Sequence, residues 1–146
     1  MPETAVRVDP LLAFRFRVRL DDLTEAGFMD CTGLQMETEV HEYVEGGLNT
    51  NVHRLPTRTK HGSIALKRGI AGRDLWDWYD DVVSGFIRRR GGTIAVYDPA
   101  GQTVVTEWRF RRAFPCRWNG PDLSATQSNV AVESFELCHE GLSRSR

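Results

Sequence analysis

Cysteine is scarce in this 146-residue chain: only Cys31, Cys116 and Cys138, far apart. An odd number at such spacing spells neither a disulfide framework nor a zinc site. The three are expected as reduced, mostly buried thiols of a protein made in a cytosol. Long apolar runs are absent, so no segment reaches the length of a membrane span, and no stable membrane anchor is expected. The opening MPETAVRVDPLLAF lacks the basic-then-apolar order of a secretion signal. An excess of charge is missing too. The 19 Lys and Arg nearly balance 20 Asp and Glu, leaving a net charge of −1. That removes any bulk attraction to nucleic acid or anionic lipid.

Catalytic patterns are also lacking. His41, His53, His61 and His139 are scattered, with no HExxH spacing, and there is no Gly-x-Ser-x-Gly. Glu45-Gly46-Gly47 and Arg90-Gly91-Gly92 are short turns, not phosphate loops. Glu37, Glu39, Glu42 and Glu45 offer carboxylates for a hydrolase, but Glu37 and Glu39 alternate along a strand, as an exposed face is written. No enzymatic activity, cofactor or metal is expected.

What is present is the material of one β-rich domain. Apolar residues make up 40% of the chain and charged residues 27%, with four Trp and seven Phe for a core. Residues 1–12 read as a flexible lead-in and 142–146 as a short tail. Phe14, Phe16, Val18 and Leu20 alternate with Arg15, Arg17 and Arg19, a half-buried strand with its arginines outward. A short strand at 27–31 follows, with a break at Thr32-Gly33. Residues 34–45 have period two but mixed faces: Met36, Thr38, Val40 and Glu42 against Gln35, Glu37, Glu39, His41 and Tyr43. Gly46-Gly47 breaks that strand, and the polar stretch to about Gly62 reads as a long loop. Ser63 to Lys67 is the next strand.

Residues 71–87 read as the one helix, its stripe formed by Leu75, Trp76, Tyr79, Val82, Val83, Phe86 and Ile87, with Gly91-Gly92 as its stop. Thr93–Tyr97 and Gln102–Arg112 form a hairpin about Asp98-Pro99-Ala100-Gly101. Residues 113–118 read as an edge segment because Pro115 cannot donate to a ladder. Val130 to His139 is the last strand, its change of parity near Glu133-Ser134 suggesting a bulge. The sum is seven or eight strands and one helix: an antiparallel barrel or sandwich with a flanking helix. Mixed-face strands sit poorly in an isolated barrel and well in an oligomeric one, where subunits pair edges that would otherwise aggregate.

Several stretches, in this order, resemble the tail tube proteins of contractile phages and the inner-tube subunits of phage-like contractile injection systems. They are Phe14-x-Phe16-x-Val18; Gly27-Phe28 leading to Gly33-Leu34; Glu45-Gly46-Gly47-x-Asn49; His53-Arg54-Leu55-Pro56; Lys67-Arg68-Gly69; Leu75-Trp76-x-Trp78; Ala113-x-Pro115-x-x-Trp118-x-Gly120-Pro121; and Val132-Glu133-Ser134-x-Glu136-Leu137 running on to Leu142. The resemblance spans Phe14 to Leu142 and implies the tube fold shared with the haemolysin-coregulated protein of type VI secretion.

It further implies homo-hexameric rings stacked into a hollow tube. The expected partners are a contractile sheath, baseplate or spike proteins and tube-terminating proteins, with possible protein cargo in the lumen. Specific nucleic-acid binding is not expected, short of passage of a phage genome. Assembly would take place in a bacterial cytoplasm, within a phage tail or an injection particle. Glu45, Gly46, Gly47, Asn49, His53, Arg54, Leu55 and Pro56 would form a loop reaching a neighbouring subunit or ring. Asp77, Asp80, Asp81 and Arg88 would face the sheath from the helix. The alternatives are a tube-initiating or tube-terminating paralogue and a monomeric ligand-binding β-barrel.

Overall fold

A computed structural model describes residues 15–23, 27–44, 46–47, 52–70 and 72–146. The strands are β1 (Phe16–Leu20), β2 (Asp30–Thr32), β3 (Met36–Val44), β4 (Val52–His61), β5 (Ile64–Gly69), β6 (Arg90–Tyr97), β7 (Val104–Asn119), β8 (Val132–Cys138) and β9 (Gly141–Arg144). Helix α1 (Asp74–Val83) lies between β5 and β6. The lead-in at 1–12, Phe14, Glu45 and Asn49 lie outside the described residues.

Seven strands form one antiparallel sheet in the order β1-β6-β7-β8-β5-β2, with β9 added on β7. β3 and β4 form a separate two-stranded ribbon. β7 makes the large sheet possible because it is 16 residues long. Its first part pairs with β6 and β9, and Phe114 onward pairs with β8. Between the two parts Arg112 takes a φ of +52°. The segment 113–118 is thus a paired part of β7, not an edge. Its ladder absorbs Pro115 through a register shift before Arg117. Residues 142–146 do more than trail: β9 pairs Gly141 with Arg111 and Arg144 with Trp108.

The core follows the alternation. Val18 and Leu20 turn inward from β1, Ile64 and Leu66 from β5, and Phe135 and Leu137 from β8. Each such side chain contributes roughly 1.5–3 kcal/mol by leaving water. Phe110 of β7 lies over Gly92, where an added Cβ would sit 2.2 Å from its ring. Gly91-Gly92 therefore belong to β6 and are not the helix stop. That role falls to Gly85, at φ +94°.

The helix is shorter than its pattern suggested. It spans ten residues and buries Leu75 and Trp78. The Trp78 indole N–H donates to the Arg88 carbonyl at 2.6 Å, tying the helix to the link that leads into β6. Trp76 faces outward, edge-on to Trp118 at 4.7 Å between centroids. Val83, Phe86 and Ile87, expected in the core stripe, are 68, 62 and 54% exposed.

No bulge interrupts β8 at Glu133-Ser134, because Glu133 is itself an inward residue. It meets Arg68 of β5 at 3.0 Å between Nε and Oε1, with both side chains almost fully buried. The Trp118 indole N–H donates to the other carboxylate oxygen at 3.2 Å, and Arg68 also reaches the Gly72 carbonyl. Two inward charged residues, 65 positions apart and paired across neighbouring strands, look like surface in a sequence; here they satisfy one another.

Candidate assembly surfaces

The β3–β4 ribbon starts and ends at one root. Gly33 holds φ +91°, and a Cβ there would lie 2.0 Å from the Ser63 carbonyl oxygen, so only glycine lets the two ends of the ribbon come together. The Gly62 amide donates to the Gln35 carbonyl at 3.0 Å. Beyond this root, the polar stretch read as a loop is strand β4. Val52 pairs with Val44, and the ladder runs down to His61 opposite Met36. Pro56 is accommodated by a register shift between Thr38 and Val40, where the Thr57 hydroxyl donates to the Glu39 carbonyl. The polar composition of 52–61 hid a strand because its side chains, apart from half-buried His61, are exposed.

One face of the ribbon carries Met36, Thr38, Val40, Glu42 and Val44, with cross-strand partners Thr59, Pro56, Arg54 and Val52. Thr38 and Thr59 join through their hydroxyls at 3.1 Å, and Glu42 meets Arg54 at 3.5 Å. The other face carries Glu39 against Lys60, Leu55 opposite His41, and Tyr43 beside His53. Apolar side chains stand uncovered on both faces: Val44 at 63%, Val40 at 56% and Leu55 at 51% exposure. A two-stranded ribbon is marginal in water by itself, and apolar surface of this extent makes it a candidate contact site. Of the predicted contact residues, Gly46, Gly47, His53, Arg54, Leu55 and Pro56 fall on this ribbon or its tip.

A second surface surrounds the end of α1. Asp77, Asp80 and Asp81 are exposed on the helix. Arg88 is exposed as well, but lies past the helix end, in the link to β6. Val83, Phe86 and Ile87 stand among these charges, and sequence reasoning missed them as surface residues. Their three- and four-residue spacing is that of a core stripe, but Val83 is the last residue of the helix and Phe86 and Ile87 lie beyond its stop at Gly85.

The third feature is the pair of sheet ends. Among the described residues β1 pairs only with β6 and β2 only with β5, so each offers an open edge. An open apolar groove lies between these ends, lined by Phe16, Met29, Leu34, Ile94, Val96 and Trp108. Cys31 is part of the same lining, and burial pushes its thiol up to about 11. No group of three or more His, Cys, Asp or Glu among the described residues is placed to hold a metal ion. No helix among them is long and apolar enough to cross a membrane.

Among the described residues, a sheet with two open ends, an exposed ribbon and one flanking helix are the surfaces available for association. The model of the T4-like virus tail tube protein gp19 family matches residues 12–143, and the chain belongs to that family. No curated protein matches it. Among solved structures, it is similar to a chain of the sheath-tube complex of an extracellular contractile injection system, PVC, in its extended state. That likeness has 24% identity and a TM-score of 0.83, over 93% of this chain and 91% of the other. A chain of the tube-terminating cap of the anti-feeding prophage is similar at 23% identity and a TM-score of 0.87, over 99% and 95%. Hcp1 from Flavobacterium johnsoniae shares the fold more distantly, at 14% identity and a TM-score of 0.55, over 90% and 95%. The expected mainly β tube fold with one helix is the observed one, and the protein is a structural component of the tail-tube type.

Proposed function

We propose that this chain is the inner-tube subunit of a contractile tail or injection particle, acting by assembly and not by catalysis. Six copies close a ring through the open edges of β1 and β2, and rings stack through the β3–β4 ribbon into a hollow tube that carries cargo and is driven out when the sheath shortens. The α1 surface, with Asp77, Asp80, Asp81, Arg88 and the apolar Val83, Phe86 and Ile87, docks the sheath, while the tube ends meet baseplate and terminating proteins. The particle is assembled in a bacterial cytoplasm. The observation that carries this reading is the ribbon: a family member's 19 strand residues, with apolar side chains on both faces and every side chain but His61 exposed.

The test is negative-stain electron microscopy of the native chain beside a Val40→Asp/Leu55→Asp variant, alone and with the sheath and baseplate proteins. The two substitutions charge opposite faces of the ribbon at sites already exposed in the subunit, so folding is expected to be unchanged within about 0.5 kcal/mol. The native chain should give stacked tubes and the variant rings without stacking. Tubes of undiminished length from the variant would overturn the stacking role of the ribbon. A native chain that stays monomeric with every partner would overturn the tube reading. Native rings that only cap tubes built by another chain would assign it to the terminating class.

A further inference from the structure

Outside these surfaces, the outer face of the β5–β8–β7 region holds two thiols in contact. Cys138, at the end of β8, lies opposite Phe114 in the ladder. Cys116 occupies the register shift between Pro115 and Arg117, which turns it toward the same side. Their Sγ atoms are 2.9 Å apart, and both cysteines are free. Ser63, just before β5, places its hydroxyl 3.7 Å from Cys138 Sγ, and Cys116 Sγ is 3.4 Å from the Glu136 carbonyl oxygen. Cys116 is exposed and Cys138 half-buried, so an oxidant in solution reaches the first and the second is poised behind it.

We infer that Cys116 and Cys138 are a redox modification site that closes into a cross-strand disulfide on contact with a hydroperoxide. The chemistry balances with hydrogen peroxide alone. The Cys116 thiolate attacks one peroxide oxygen, the O–O bond breaks, and a sulfenic acid and one water result once the leaving hydroxide takes up the thiol proton. The Cys138 sulfur then attacks the sulfenic sulfur, the S–O bond breaks, and a second water leaves with the Cys138 proton. Two thiols are oxidised by two electrons and one peroxide is reduced to two waters. An S–S bond is about 2.0 Å long, so closure needs only a small movement of side chains that already touch.

The site sits where β7 has left its pairing with β6 and β9 for β8, and the cross-link would enclose the irregular segment between β7 and β8. Burial, together with the neighbouring Cys138 thiol, pushes the Cys116 thiol up to about 12. Closure is therefore slow near neutrality and quickens as pH rises, and a reducing thiol in the medium reopens the pair. This chemistry holds whether or not the chain builds tubes.

The experiment treats the reduced full-length chain with hydrogen peroxide at neutral and at mildly alkaline pH. Intact mass, thiol count after denaturation and peptide mapping without reduction are then measured. The expected product is a monomeric chain lighter by two hydrogen atoms, with the titratable thiols falling from three to one and a single cross-linked peptide joining Cys116 and Cys138. Formation should be faster at the higher pH and reversed by a reducing thiol. A Cys116→Ser variant should keep its mass less the sulfur-for-oxygen change and show no cross-link. A link involving Cys31, a link only between chains, or addition of oxygen without a cross-link would each overturn the assignment.

Discussion

The buried pair Arg68–Glu133 gives the sharpest energetic prediction. The two side chains are 3% and 6% exposed, so neither charge has water to fall back on. Glu133→Gln keeps the size of the side chain and an oxygen to accept the Trp118 N–H, but removes the charge and leaves the guanidinium buried without a counter-ion. Breaking such a pair from one side costs about 3–5 kcal/mol. Against a total stability of roughly 5–15 kcal/mol this is a large fraction, and it should lower the melting midpoint on the order of 10 °C. Arg68→Met/Glu133→Leu removes both charges at once and should lose only about 1–3 kcal/mol, the cost of stranding the Trp118 N–H. Urea unfolding followed by tryptophan fluorescence, at several protein concentrations to separate association from folding, reads both variants. A loss below about 1 kcal/mol for Glu133→Gln would refute the reasoning, as would a double variant weaker than the single one.

Two further predictions concern the ribbon root and its surroundings. Gly33→Ala forces a side chain into φ +91° and against the Ser63 carbonyl. It should cost at least about 1–3 kcal/mol by urea unfolding, and an unchanged midpoint would mean the root is looser than described. His139 sits beside His61, with ring centroids 5.1 Å apart, and burial, aided by the His61 charge, holds its pKa below the usual 6.5. The unfolded chain therefore takes up a proton there before the folded one does. Stability is complete above about pH 6.5 and declines as pH falls from there toward the folded value. His139→Asn should flatten that part of the pH profile of the urea midpoint; an unaltered slope would assign it to another group.

Much of the fold was legible in the sequence because period two reports burial directly. The Phe-Arg alternation of β1 and the Asp98–Gly101 turn appear in place: the Asp98 carboxylate accepts the Gln102 and Thr103 amides at 2.9 and 3.2 Å. The same rule failed where burial and polarity part company. β4 is polar and exposed yet paired with β3 along its length, and Glu133 is charged yet inward, because Arg68 lies across the ladder. The helix failed in the opposite sense, its stripe continuing past Gly85 into exposed residues.

The sequence by itself determined that the chain is β-rich with one helix, that its strands carry unusual mixed faces, and that its ordered landmarks are those of a tube family. Those are properties of local pattern. Only the tertiary structure decided that β7 bends to serve three neighbours, that residues 141–144 complete the sheet, and that Cys116 meets Cys138 across 22 residues of chain. These depend on register and on which strands become neighbours. That choice is made by the fit of side chains far apart in sequence, and no local pattern of residues encodes it.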